Sequence, residues 1–329
     1  MELHQQGCRS TSVATGVDPD REAFFRGLVE NPPLPPDSSL DEQRDILDAL
    51  ASMNPPVPHG VGIERVTLAT GASAELITPP EADSGRAIVY AHGGAVVNGR
   101  TPSVWQYPVC RIAAAAHASL LYVLHRLAPE HPFPAARDDV IAGYDYLRTR
   151  GYEPEHVAFV ADSAGVNIAL TALLALRAQG HAMPAGLVGI GGWIDLAESG
   201  DSRTSGPLDP LAIPAQLDAA ARAYLGSTSA ESAEANPMFA DLTGLPPTRL
   251  LVGGIEALKD DTIRFSARAC EAGVEVHVET WEGLHHGWHL FANVVAEAEA
   301  AYQRMGDLVR QLTPGGETRG APASNRLVT

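Results

Sequence analysis

Ser163 lies in the run Phe159-Val160-Ala161-Asp162-Ser163-Ala164-Gly165. The pattern is an apolar strand, a small-residue turn and a helix, and such a turn lifts one hydroxyl off the backbone at the strand's carboxyl end. Serines presented this way are written G-x-S-x-G, with small residues two before and two after them to avoid clashes. This chain writes A-x-S-x-G: Ala161 puts a methyl where the pattern has hydrogen, which strains the turn without excluding it. A hydroxyl so placed can attack a carbonyl if a base, an orienting acid and donors for the developing oxyanion lie beside it.

Each of those has a candidate. The strand Ala87-Ile88-Val89-Tyr90 runs into His92-Gly93-Gly94-Ala95, where small residues let backbone N–H groups turn inward. The N–H of Ala164 is a further donor, at the start of a helix whose dipole favours negative charge. A histidine cluster, Leu284-His285-His286-Gly287-Trp288 with His289 after it, follows the last strand. Its H-x-x-H spacing also suits a metal, but H-E-x-x-H is absent, so no metal site and no cofactor are expected. Between serine and histidines, Gly253-Gly254-Ile255-Glu256-Ala257-Leu258-Lys259-Asp260-Asp261 offers Glu256 and Asp260 as the acid.

These residues need a frame that brings distant loops together. From residue 61 to 313 strands and helices alternate, which predicts an α/β fold with a largely parallel sheet covered on both faces. Residues 197–242 break the rhythm with Gly200, Gly206, Pro207, Pro210 and Pro214, then a helix over 215–225. Residues 1–60 form an extension in which two proline clusters bracket a helix over 40–53, with Asp37 or Ser38 as its cap. Together these two segments suit a cap over the core. Residues 1–20 are polar and expected to fray, and the tail over 314–329 lacks apolar periodicity and is expected to be disordered.

The bulk numbers narrow the partners. With 23 basic and 40 acidic residues the net charge is −17, which argues against nucleic acid or an anionic membrane. No apolar run is long enough to span a bilayer. Cys8, Cys110 and Cys270 are odd in number and far apart, so no disulfide framework and a reducing, cytoplasmic setting are expected.

Taken in order, His92-Gly93-Gly94-Ala95, Arg126-Leu127-Ala128-Pro129-Glu130-His131-Pro132-Phe133-Pro134, Asp162-Ser163-Ala164-Gly165, Trp193-Ile194-Asp195 and His286-Gly287-Trp288 resemble the hormone-sensitive-lipase family of esterases, bacterial family IV. The resemblance spans about residues 60–312. It implies an α/β-hydrolase fold with a helical cap, no cofactor, and a triad of Ser163, His286 and an acid. The family reads Asp-Pro-Leu-x-Asp at the acid, and a register anchored on Leu258 puts Glu256 at the first Asp, leaving Asp260 as a loop or helix-cap residue. Gly93, Gly94, Ala95 and Ala164 would form the oxyanion hole. Arg126, Glu130 and Asp138 would form a network behind the site, Trp193 would pack, and Asp195 would fix a loop.

The expected activity is hydrolysis of short- to medium-chain soluble esters through an acyl-enzyme. A lactonase or N-deacetylase would use the same triad, and a non-hydrolytic binder or lyase could use the same fold. The expected partner is a small-molecule ester, and a homodimer is left open.

Overall fold

A computed structural model describes residues 7–35, 38–197, 199–205 and 209–314. Its frame is a nine-stranded sheet: β1 (Cys8–Val13), β2 (Gly62–Thr67), β3 (Ser73–Thr78), β4 (Asp83–Ala91), β5 (Ala118–Leu124), β6 (Val157–Asp162), β7 (Gly186–Ile190), β8 (Thr248–Gly253) and β9 (Val276–Trp281). The spatial order is β1-β9-β8-β7-β6-β4-β5-β3-β2. β2 and β3, and β3 and β5, pair antiparallel; the remaining neighbours are parallel.

The central strands read as near-continuous apolar runs because both faces are covered. Their side chains divide by the period of two: Val89, Leu121, Val157 and Phe159 enter one core layer, and Ile88, Leu120, Ala158 and Val160 the other. The first layer packs under α4 (Ala135–Thr149), α5 (Ala164–Ala178) and α8 (Lys259–Glu271). The second packs under α3 (Ser103–Ala116) and α9 (Glu297–Leu312).

Of the first twenty residues, the described ones, 7–20, depart from the fraying expected of them. β1 pairs in parallel with β9, and Cys8 forms a disulfide with Cys270, with Cα atoms 6.2 Å apart across 262 positions of sequence. The expectation of no disulfide framework is corrected by this bond, and the argument it lent to a reducing compartment falls with it. Sequence spacing missed the pair because the contact exists only once β1 lies along β9 and α8 packs behind. Cys110 is free and buried, and burial pushes its thiol up to about 12.

α1 (Pro19–Glu30) follows, capped by Asp18, whose carboxylate accepts from the Asp20 and Arg21 amides. α2 (Leu40–Ala49) begins in a capping box between Ser39 and Glu42, so its cap is Ser39 and not the expected Asp37 or Ser38. Asp37 lies outside the described residues, as does the tail beyond residue 314. In the insertion, α6 (Ser202–Ser205) is a single turn and α7 (Pro214–Leu225) matches the helix expected over 215–225. Among the described residues no helix is long and apolar enough to cross a membrane.

Candidate active site

β6 ends at Asp162 and α5 starts at Ala164, so Ser163 alone makes the turn, at φ 50° and ψ −124°. A non-glycine residue at positive φ is strained, and the turn is pinned on both sides. Ser163 N donates to the Ile190 carbonyl at 2.9 Å and the Ser163 carbonyl accepts from Trp193 N at 3.0 Å. Gly165 must be glycine: a Cβ there would lie 2.1 Å from the Ala91 carbonyl oxygen. Ala161 is fully buried, its methyl accommodated beneath the turn.

The Ser163 Oγ lies 2.9 Å from His286 Nε2. On the other side of that ring, Glu256 Oε2 is 3.9 Å from His286 Nδ1, beyond hydrogen-bond distance and close enough to attract the ring once it is protonated. Both side chains are buried. Burial alone would lower the imidazole, but Glu256, then Asp209 and Asp162, outweigh it and hold His286 above its ordinary value. The structure thus brings Ser163, His286 and Glu256 into one line.

Asp260 stands elsewhere. Its carboxylate accepts from Ser202 N at 2.8 Å and ties α8 to the insertion. Nor is it the expected helix cap, because α8 starts from Leu258 with no side-chain cap.

The three histidines of the cluster face different partners. His285 packs on Phe25 with ring centroids 5.0 Å apart, His286 meets Ser163, and His289 Nε2 lies 3.6 Å from Asp162 Oδ2. The three rings thus diverge, and among the described residues no group of three or more His, Cys, Asp or Glu side chains converges.

The glycine turn after β4 corrects one expectation. Gly93 N donates to Asp162 Oδ1 at 2.9 Å, so its N–H is already engaged and is not free for an oxyanion. Asp162 also accepts from Tyr90 Oη at 2.9 Å and Trp105 Nε1 at 2.9 Å. Burial would raise this carboxyl, but His289, Trp105 and Tyr90 outweigh it and keep it below its ordinary value. Gly94 and Ala95 do line the cavity in front of Ser163. The Ala164 N–H, at the first residue of α5, belongs to the turn whose amides the helix leaves unused. Ala95 and Val96 sit at φ 53° and 62°, an unusual pair of left-handed non-glycine residues.

Behind the turn, the expected Arg126–Glu130–Asp138 network is wired differently. Arg126 pairs with Asp139, Asp138 with Arg137, and Glu130 with Arg44 of α2. Helical spacing makes 138 and 139 equally plausible from sequence, and only the packing of α4 chooses. Trp193 is fully buried, and Asp195 orders its loop by accepting from Ala197 N, Ser199 and Asn236. His125 stacks on His92 with centroids 3.9 Å apart.

In front of Ser163 lies a cavity of about 70 Å³, walled by Leu34 and Leu47 from the N-terminal segment, Leu211 and Leu217 from the insertion, and Trp105 from α3. Gln216 of α7 donates to the Leu34 and Pro35 carbonyls, joining the two segments over it. Two residues that reach this machinery gave no signal in the sequence. Arg44, buried, donates to the Val97 and Ala128 carbonyls beside the glycine turn. Asp209, in a loop of the insertion, accepts from the His286 backbone. Arg44 lies on the helix expected over 40–53 and Asp209 in the proline-rich insertion, and neither pattern nor spacing marks either as reaching the site.

A family model described as the alpha/beta hydrolase fold matches residues 88–290. An acetyl-hydrolase of Streptomyces hygroscopicus is 37% identical over 245 residues, which cover 74% of this chain and 81% of that protein. An esterase of Acinetobacter venetianus is 32% identical over 271 residues, 82% of this chain and 88% of that one. Among solved structures, an esterase from the bacterial hormone-sensitive lipase family matches with a TM-score of 0.85 and 33% identity, over 91% of this chain and all of that one.

Proposed function

This chain belongs to the α/β-hydrolase family, among esterases of the hormone-sensitive-lipase type, and from that premise we propose that it is a serine carboxylesterase acting on short-chain soluble esters. The observation that carries the reading is the line Ser163 Oγ–His286 Nε2–Nδ1–Glu256, with a 2.9 Å contact at its reacting end.

In this mechanism His286 Nε2 takes the Ser163 proton as Oγ bonds to the ester carbonyl carbon. The carbonyl oxygen becomes an oxyanion, held by the N–H groups of Gly94, Ala95 and Ala164. Glu256, facing Nδ1 across the ring, stabilises the imidazolium by its charge. The tetrahedral adduct collapses, the alcohol leaves with the proton from Nε2, and an acyl-Ser163 remains. Water enters, gives a proton to Nε2 and attacks the acyl carbon; the acid departs and Ser163 regains its hydrogen.

The cavity of about 70 Å³ supports short acyl groups. For comparison, a benzene-binding cavity is about 150 Å³. In this reading the segments around α2 and α7 are the cap that sets that limit. A cytoplasmic site of action has no support from the cysteines once Cys8 and Cys270 are bonded.

The test is turnover of p-nitrophenyl esters from acetate to dodecanoate by wild type and Ser163→Ala. Expected are turnover falling with chain length in the wild type and none in the variant. Unchanged turnover in Ser163→Ala would defeat the proposal, and preference for the longest chains would defeat its short-chain clause.

A further inference from the structure

Resting on the reading above, we propose that Asp209 is a positioning residue that holds the base loop and the acid loop in register from within the insertion. Its carboxylate is buried and accepts four backbone N–H groups. Oδ2 receives Ala257 N at 3.1 Å and His286 N at 2.9 Å. Oδ1 receives Leu211 N at 3.1 Å and Ala212 N at 3.3 Å. One oxygen therefore joins the residue after Glu256 to His286 itself. The other fixes the loop that carries Leu211 to the cavity wall.

The bridge matters because Glu256 and His286 sit on separate loops, after β8 and after β9. A direct bond between those loops is Ile255 N to the Leu284 carbonyl, at 3.2 Å, one and two residues short of the reacting pair. Asp209 supplies the tie at the pair. An anion is suited to the task, since a carboxylate accepts several N–H groups at once and bonds to a charged acceptor are the stronger ones. Placement errors of about 1 Å in such a line can cost on the order of 10²-fold in rate.

Asp209 also acts on His286 through its charge. The charged or titratable groups facing His286 are Glu256 from the loop after β8, Asp162 from the end of β6, and Asp209 from the insertion. His285 adjoins it in the same loop and His289 follows in the next turn. Asp209 is one of the anions that keep His286 basic, so neutralising it lowers the imidazole pKa and moves the acid limb of the rate to lower pH. Loss of fold or of packing alone lowers the amount of active enzyme without moving that limb.

The experiment is the pH profile of kcat and KM for p-nitrophenyl acetate with wild type, Asp209→Asn and Asp209→Glu, with circular dichroism as the check of fold. Asp209→Asn is expected to lose about 10- to 100-fold in kcat, with KM within about threefold. Its acid limb should shift to lower pH, and Asp209→Glu, which keeps the charge, should restore the limb to its wild-type position. An Asp209→Asn enzyme with wild-type kcat, or with reduced kcat and an unmoved limb, would overturn the proposal while leaving the esterase reading intact. If the amide variant does not fold, Asp209→Ser repeats the measurement, and failure of both to fold makes Asp209 a fold determinant and overturns the positioning role. A wild type inert toward esters would instead sink the reading on which the proposal rests.

Discussion

His286 is held above the ordinary imidazole value of 6.5 although burial opposes it, because carboxylates face it from three sides. In the proposed mechanism the base works only when neutral, so activity is present above the folded pKa and lost as pH falls through it. The acid limb of kcat/KM should therefore lie above pH 6.5. Glu256→Gln removes the largest opposing charge and should lower that limb and cost something like 10⁴-fold in kcat. Asp260→Asn should leave both nearly unchanged, because Asp260 is spent on Ser202. The reverse outcome in steady-state assays of the two variants would reassign the acid. Ser163 and the histidine loop are legible in the sequence because each lies in a local pattern set by its own turn. Glu256 needed a register borrowed from relatives. The engagement of Gly93 by Asp162 was not legible, since an amide's partner 69 residues away leaves no trace in local composition.

The α2 helix does more than line the cavity. Arg44 reaches from it to the Val97 and Ala128 carbonyls, at 2.7 and 3.1 Å, and so braces a turn whose Ala95 and Val96 are strained. Its partner Glu130 is half exposed, so the ion pair itself contributes little. The larger loss in Arg44→Ala is two carbonyls without their charged donor, about 2–3 kcal/mol by denaturant melting. A roughly tenfold fall in kcat should accompany it if the brace holds the oxyanion donors. A variant as active and as stable as wild type would show that the turn stands unaided.

A second element-scale prediction concerns α8. Burial pushes the Asp261 carboxyl up to about 7, and Asp195 adds to the effect, while the Ile194 and Asp195 amides donate to it. A raised carboxyl favours the fold while protonated, so its contribution is full below its unfolded range near pH 4 and is lost as pH rises through about 7. Asp261→Asn keeps an acceptor for both amides and should flatten the fall in stability between about pH 4 and about pH 7; an unaltered slope in denaturant midpoints would contradict it. The helices and strands of this region were readable from periodicity. Their capping and pairing, down to Ser39 in place of Ser38 and Asp139 in place of Asp138, were decided by packing.

For the molecule as a whole, the alternation of strands and helices from residue 61 onward was enough to read the parallel sheet, because buried strands carry an unmistakable apolar text. The β1 edge was not readable: Arg9-Ser10-Thr11-Ser12 is polar, and an edge strand open to solvent on both faces has no alternation to detect. The Cys8–Cys270 bond closes a loop of most of the chain, so Cys270→Ser should lower stability by about 2–4 kcal/mol. Ester turnover should survive, because the bond ties the sheet's edge and touches none of the reacting groups. In the proposed mechanism one serine carries the acyl group from the leaving alcohol to water. Rapid-quench intact-mass spectrometry after mixing with p-nitrophenyl acetate, followed by peptide mapping, reads that group directly. A transient increase of one acetyl mass is expected, mapped to the peptide bearing Ser163 and absent in Ser163→Ala. An acetyl group on any other residue, or turnover by Ser163→Ala at the wild-type rate, would contradict it.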